Sequence, residues 1–331
     1  MQRRLSDLLE AAKADAPAPR YGVEDAVRAG RRLRRRRAAW ATAAVAAVVA
    51  VAAVIALPRL LPGPDFDYAG GDLTATIQSY EAGPLTVTEA VQVSPGYQIA
   101  QVIGPTTKKG AKPAVRGTVT VFRPGVFDPA GFATGTAVPV GGVTGRSRPD
   151  AVAWEYAEDA WAVVRTWQAR LTRAQLIAVA AGLRSTAPRT PTVGFKLTTV
   201  PAGFTLDSGG RANDATGRSA LPNGSYLRLV KGDVSYRNLP DVLADPGPGV
   251  QAVEVRVYPR EYGQEVPPAV QPAGYCRGDR CYRDSADGKV QIEAAGGPGT
   301  STADLLALVK GATFAVPDDP GTWYPLTSAA G

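Results

Sequence analysis

Two thiols offer the most legible chemistry in this chain. Cys276 and Cys281 stand five positions apart in YCRGDRCY, on either side of Gly278–Asp279. A Gly-Asp pair between two short runs reads as a turn, which sets the sulfurs opposite each other on neighbouring strands. In an oxidising compartment such a pair forms a disulfide. The loop it closes is small, so its contribution is about 2 kcal/mol at most. A zinc site needs two further ligands, and the chain has no histidine to supply them. The enclosed Arg-Gly-Asp reads as a charged hairpin tip rather than an adhesion motif.

The absence of histidine also removes the commonest general base and pH switch. No nucleophile–base constellation can be assembled, so the sequence assigns no catalytic residue, no metal ligand and no cofactor, and reads as a non-enzyme. DFDYAGGD (Asp65–Asp72) has acids at positions one and three of a calcium loop and glycine at six, but Ala69 stands at five and Thr76 at twelve. It reads as a solvated linker. GGVTGR (Gly141–Arg146) has misplaced glycines for a phosphate loop, and a strand pattern follows where a helix is required.

Aromatic residues cluster in AWEYAEDAWAVVRTW (Ala153–Trp167). Strand parity puts Trp154 and Tyr156 on one face and gives Trp161 and Trp167 the opposite parity on the next strand. Trp154, Tyr156 and Trp161 are the candidate ligand platform. The competing reading is hairpin core, because aromatic residues favour cross-strand pairs. Glu155, Glu158 and Asp159 between them have the spacing of a turn tip.

The elements that position these groups begin with a charge break. Arg31, Arg32, Arg34, Arg35, Arg36 and Arg37 run straight into AAWATAAVAAVVAVAAVIAL (Ala38–Leu57), 20 residues without charge, Pro or Gly. As a helix this run spans about 30 Å, the thickness of a bilayer's hydrocarbon core. Trp40 sits at an interfacial position, and Pro58 and Pro62 end the helix. The arginines resist translocation and anchor to lipid headgroups, so the N-terminus stays in the cytoplasm and residues 58–331 lie outside. A cleaved signal peptide is the alternative; the long preceding tail and the early Pro58 argue against it. The net charge of +7 is uneven: residues 1–37 hold 11 Lys/Arg against 5 Asp/Glu, the remainder 26 against 25. The broad basic face of a nucleic-acid binder is therefore not expected.

Residues 1–37 hold two short amphipathic pieces separated by PAP (Pro17–Pro19). They are too few to bury a core, and so decorate the lipid surface or dock on a partner. YGVEDAVRAGRRLRRRR followed by the Ala/Val run resembles the front of many actinobacterial single-pass membrane proteins, some of them similar to anti-sigma factors. That resemblance implies a cytoplasmic protein partner such as a sigma factor. Zinc-type anti-sigma factors carry a His-and-two-Cys motif; this tail has neither residue, which excludes a zinc-dependent version.

Beyond the membrane the chain reads as two similar units. VSPGY (Val93–Tyr97) recurs as VPAGF (Val200–Phe204), TVTVF (Thr118–Phe122) as EVRVY (Glu254–Tyr258), and LTRAQLIAVAAGL (Leu171–Leu183) as TSTADLLALVKGA (Thr300–Ala312). Thr172 with Gln175 and Ser301 with Asp304 mark helix starts; Gly182 and Gly311 mark helix ends. Phe204 to Val255 is 51 positions against 22 from Tyr97 to Val119, which places the extra residues in a polar loop over 206–250. The fold class is α+β, each unit an antiparallel sheet with one packed helix. Such a layout looks like the extracytoplasmic halves of some bacterial regulatory and lipoprotein-carrier families.

The expected organisation is a basic cytoplasmic tail (1–37), a transmembrane helix (38–57), a linker and entry segment (58–84), two α+β units (85–187 and 190–317) and a C-terminal tail (318–331). The expected function is extracytoplasmic binding or sensing at the plasma membrane, with the tail signalling to a cytoplasmic partner. The alternatives are an envelope binding or structural module merely anchored by the helix and, less favoured, an extracytoplasmic enzyme. The partners implied are the lipid bilayer, the tail's protein partner and an unidentified outer ligand, with no nucleic acid.

Overall fold

The computed structural model describes residues 66, 68, 73–105, 114–167, 170–213, 220–236, 249–262, 270–297 and 299–331. The run 38–57 and the basic tail, with Arg31, Arg32, Arg34, Arg35, Arg36, Arg37 and Trp40, lie outside the described residues. Among the described residues no helix is long and apolar enough to cross a membrane.

Strands dominate. In chain order they are β1 (Ala75–Ile77), β2 (Tyr80–Ala82), β3 (Leu85–Val93), β4 (Tyr97–Gly104), β5 (Ala114–Phe122), β6 (Thr136–Val140), β7 (Val143–Ser147), β8 (Ala151–Ala157) and β9 (Ala160–Thr166). Helix α1 (Arg173–Ala181) follows, then β10 (Ser185–Arg189), β11 (Thr192–Val193), β12 (Phe195–Leu197), β13 (Thr205–Asn213), β14 (Ala220–Lys231), β15 (Gln251–Pro259), β16 (Tyr275–Arg277), β17 (Arg280–Asp284) and β18 (Val290–Gly296). Helix α2 (Thr302–Lys310), β19 (Ala312–Phe314) and β20 (Tyr324–Pro325) complete the list.

One antiparallel sheet of 14 strands runs β16-β17-β18-β15-β14-β13-β3-β4-β5-β9-β8-β7-β6, with β2 beside β3. The order reads alike outward from the middle: β3-β4-β5-β9-β8-β7 one way and β13-β14-β15-β18-β17-β16 the other. A helix follows β9 in the first half and β18 in the second. The fold is thus mostly sheet, with two helices among the described residues.

The period-2 pattern decides which face each helix covers. In the first half Val119, Val121, Trp154, Ala162 and Val164 point to one side, where Leu176, Val179 and Ala180 of α1 close over them. In the second half Leu227, Leu229, Val253, Val255 and Ile292 take Leu305, Leu308 and Val309 of α2. Each of those three α2 side chains is at most 2% exposed, and burying a side chain of this size stabilises by about 2 kcal/mol. Residues of the other parity in the first half, Phe122, Ala153 and Val163, build a third cluster with Tyr97, Phe127 and Phe132.

The helix ends follow the sequence signals. Thr172 accepts from the Gln175 amide and Gln175 reaches back to the Thr172 amide, a capping box. Ser301 accepts from the Asp304 amide at 3.1 Å. Gly182 and Gly311 are the C-caps.

One sequence expectation changes. The polar loop over 206–250 contains a long hairpin instead: β13 and β14 pair from Thr205–Val230 to Asn213–Ala220. Its driving force is the Leu227/Leu229 alternation, which outweighs the Gly, Asn and Asp content. The entry segment 58–84 carries β1 and β2, with Ala75 and Ile77 at 0% exposure. The C-terminal tail 318–331 buries Leu326 and Ala329, and its Tyr324 pairs with Val193.

Candidate functional site at the sheet seam

The two halves of the sheet join where β3 meets β13, by the pairs Gly209–Val93 and Gly210–Gln92. The ladders flanking it are longer, as between β3 and β4, paired from Thr86–Ile103 to Val93–Gln98. The approach at the seam is so close that only glycine fits. A Cβ on Gly210 would lie 2.0 Å from the Val91 carbonyl oxygen, and one on Gly209 would lie 2.3 Å from Leu326 Cδ1.

Just before the glycines the register slips. Leu206 pairs with Leu229 and Ser208 with Arg228, leaving Asp207 as the extra residue of a bulge. A bulge re-aims side chains. Here it sets Asp207 and Ser208 beside Arg228 and Tyr226, away from the α2 side of the sheet. All four residues are 6% exposed or less. The Arg228 guanidinium stands 3.9 Å from Asp207 Oδ2. Tyr236 reaches in from beyond β14 and donates its hydroxyl proton to Asp207 Oδ1. Its ring meets that of Tyr97, a first-half residue, edge to face at 5.7 Å. Gln92 donates to the Tyr97 hydroxyl at 2.9 Å.

Ser208 Oγ lies between the Asp207 carboxyl and the Tyr226 hydroxyl, within hydrogen-bonding reach of both. Burial raises the Asp207 carboxyl above its ordinary range, against the lowering effects of the Tyr236 hydrogen bond and the Arg228 charge. Burial, followed by the Asp207 charge, raises Tyr97 and Tyr236 as well. The phenols therefore stay protonated through neutral pH. The cluster can exchange hydrogen bonds and, at Asp207, one proton.

From the seam a polar network continues over the same face of the second half. Tyr258 donates to Glu293 Oε2 at 2.6 Å, and Arg280 pairs with the other Glu293 oxygen. Arg256 pairs with Glu254. Asp284 holds Arg260 at 3.1 Å, the Gln271 amide at 2.8 Å and Gln291 Nε2 at 3.0 Å. Tyr258 is 3% exposed and Glu293 4%, whereas Glu254, Arg256 and Arg280 beside them are only partly buried.

The residues singled out from sequence fall elsewhere. Cys276 and Cys281 are opposite on β16 and β17 and form a disulfide, with Tyr275 stacked on Tyr282 at 5.2 Å beside them. Trp154 and Tyr156 both belong to the α1-side cluster, Trp154 at 0% exposure, while Trp161 packs on the opposite face against Phe127 at 6.2 Å. The three rings therefore make no shared platform, because strand parity divides them. The Glu155 carboxylate accepts from the Asp159 amide at 2.8 Å, and Asp159 adopts a left-handed φ of 52°: the acids build a turn. Gly141 and Gly142, with φ of 51° and 95°, form the β6–β7 hairpin turn. Of Asp65–Asp72 only Phe66 and Tyr68 are described; Phe66 is buried edge-on to Tyr156, at 5.2 Å. Among the described residues no group of three or more metal-ligating side chains occurs.

Sequence reasoning missed the seam. SYLRLV and EVRVY announce alternation, but alternation does not reveal that Tyr226, Arg228 and Tyr258 on the polar side are also buried. The usable signal was the Asp-Ser-Gly-Gly run (Asp207–Gly210), where a strand pattern is interrupted by two glycines.

No protein-family model matches the chain, and no curated protein matches it. Two solved structures are similar to it over much of their length. One is a crystal structure of MucB in complex with MucA(peri), at 10% identity and a TM-score of 0.22, covering 68% of this chain and 90% of that chain. The other is the MucA/MucB complex of Pseudomonas aeruginosa, at 11% identity and a TM-score of 0.23, covering 73% and 92%. Likeness of that degree identifies neither a family nor a partner.

Proposed function

We propose that this chain is a single-pass membrane protein whose residues 58–331 bind or sense a ligand outside the cytoplasm, without catalysis, while residues 1–37 engage a cytoplasmic protein such as a sigma factor. The observation that carries the reading is the Cys276–Cys281 disulfide, because such bonds persist on the oxidising side of a membrane. The run from Arg31 to Leu57 supports it independently: six arginines ahead of an uncharged 20-residue stretch hold the N-terminus inside.

The matching strand orders on either side of the seam support reading 85–187 and 190–317 as two copies of one sheet-and-helix unit. Side-chain-capped helices with glycine C-caps, at corresponding places in the two halves, support it further.

The test of the signalling arm is a pull-down from cell lysate with residues 1–37 as bait, beside an arginine-matched scrambled control. Recovery of a sigma factor above the control is the expected result. Recovery equal to the control contradicts the signalling arm and leaves the tail an anchor.

A further inference from the structure

We propose that the β3–β13 seam is a hinge, and that Tyr236 is the clasp that holds its two halves together. Two observations carry this, and neither depends on which side of a membrane the region occupies.

Among the described residues the seam is the shortest join in this sheet. Its backbone pairing is confined to Gly209–Val93 and Gly210–Gln92. The ladders on either side are longer, from Thr86–Ile103 to Val93–Gln98 between β3 and β4 and from Thr205–Val230 to Asn213–Ala220 between β13 and β14. Opening at the seam breaks little hydrogen bonding, whereas opening at either neighbour breaks a whole ladder.

Tyr236 spans the join. Its hydroxyl is bonded to Asp207 in the second half, and its ring lies on Tyr97 in the first and against Gly96, where an added Cβ would meet the ring at 2.5 Å. Arg228, Tyr226 and Ser208 from β14 and β13, Tyr97 from β4 and Tyr236 itself surround the Asp207 carboxyl. The clasp therefore grips a carboxylate whose proton state the seam also sets.

The experiment is amide hydrogen exchange on the full-length protein in detergent, read by mass spectrometry. Peptides across Gln92–Val93 and Gly209–Gly210 are expected to exchange at least about tenfold faster than peptides across the β15–β18 ladder, the mark of sub-global opening. Tyr236→Phe keeps the ring and removes the hydroxyl; it is expected to speed the seam peptides about three- to tenfold further, leaving β15–β18 unchanged. Seam peptides that exchange no faster than β15–β18 in the unmodified protein overturn the hinge. A faster seam that Tyr236→Phe leaves unmoved, or moves equally with β15–β18, overturns the clasp.

Discussion

Gly210 passes so near Val91 that a Cβ on the glycine would lie 2.0 Å from the Val91 carbonyl oxygen. Its φ of +153° is also one that side chains rarely adopt. Gly210→Ala must therefore push the two strands apart, and we expect a loss of about 3 kcal/mol by urea denaturation, the upper end for overpacking. Gly83→Ala is the control: φ is +63° but nothing lies within 4 Å of an added Cβ, so only the backbone term of about 1 kcal/mol applies. Equal losses at the two positions would show that the seam is not tightly packed.

A buried hydrogen bond on the polar face can be removed cleanly. Tyr258 donates to the buried Glu293 carboxylate at 2.6 Å, so Tyr258→Phe strips a donor from a buried charge and is expected to cost about 1–3 kcal/mol. The denaturant midpoint of the variant checks this.

Asp207 fixes a pH dependence. Its folded pKa is raised, chiefly by burial, so the folded state holds the proton more tightly than the unfolded chain does. The stability this contributes is complete below the unfolded value near 3.9 and is lost as pH rises through the folded value. Asp207→Asn stays neutral at every pH and can still accept the Tyr236 proton. Its stability relative to the unmodified protein should therefore grow between pH 4 and pH 7. A difference that shrinks over this range would mean Arg228 and Tyr236 outweigh desolvation.

Legibility in the sequence divided along physical lines. Local signals transferred well: the Cys276/Cys281 spacing, the Thr172–Gln175 capping box and the glycines at helix ends are set by residues a few positions apart. The hairpin β13–β14 was obscured because Gly209, Gly210 and neighbouring polar residues serve a close strand approach, and the same composition ordinarily marks a loop. The polar face was hidden for a different reason. EVRVY shows that Glu254, Arg256 and Tyr258 share a side, yet burial of Tyr258 on that side is a tertiary fact. Trp154, Tyr156 and Trp161 were grouped from their closeness in sequence, whereas the β8–β9 register puts Trp161 on the face away from the other two.

The disulfide gives a bounded loss. Replacing Cys276 and Cys281 together by serine reopens a loop of only a few residues, and we expect about 2 kcal/mol. The hairpin itself should survive, since the Tyr275–Tyr282 stack and the β17–β18 ladder remain. A loss well beyond this range would mean that the bond also holds α2, through the Cys281 sulfur that meets the Thr302 carbonyl at 3.5 Å.

Topology is the claim on which the functional reading stands, and protease digestion of spheroplasts tests it most directly. With the membrane intact, an added protease should degrade the region beyond Leu57 and leave a membrane-bound fragment that carries the N-terminal tail. Full protection of the region beyond Leu57 until the membrane is lysed would contradict the account.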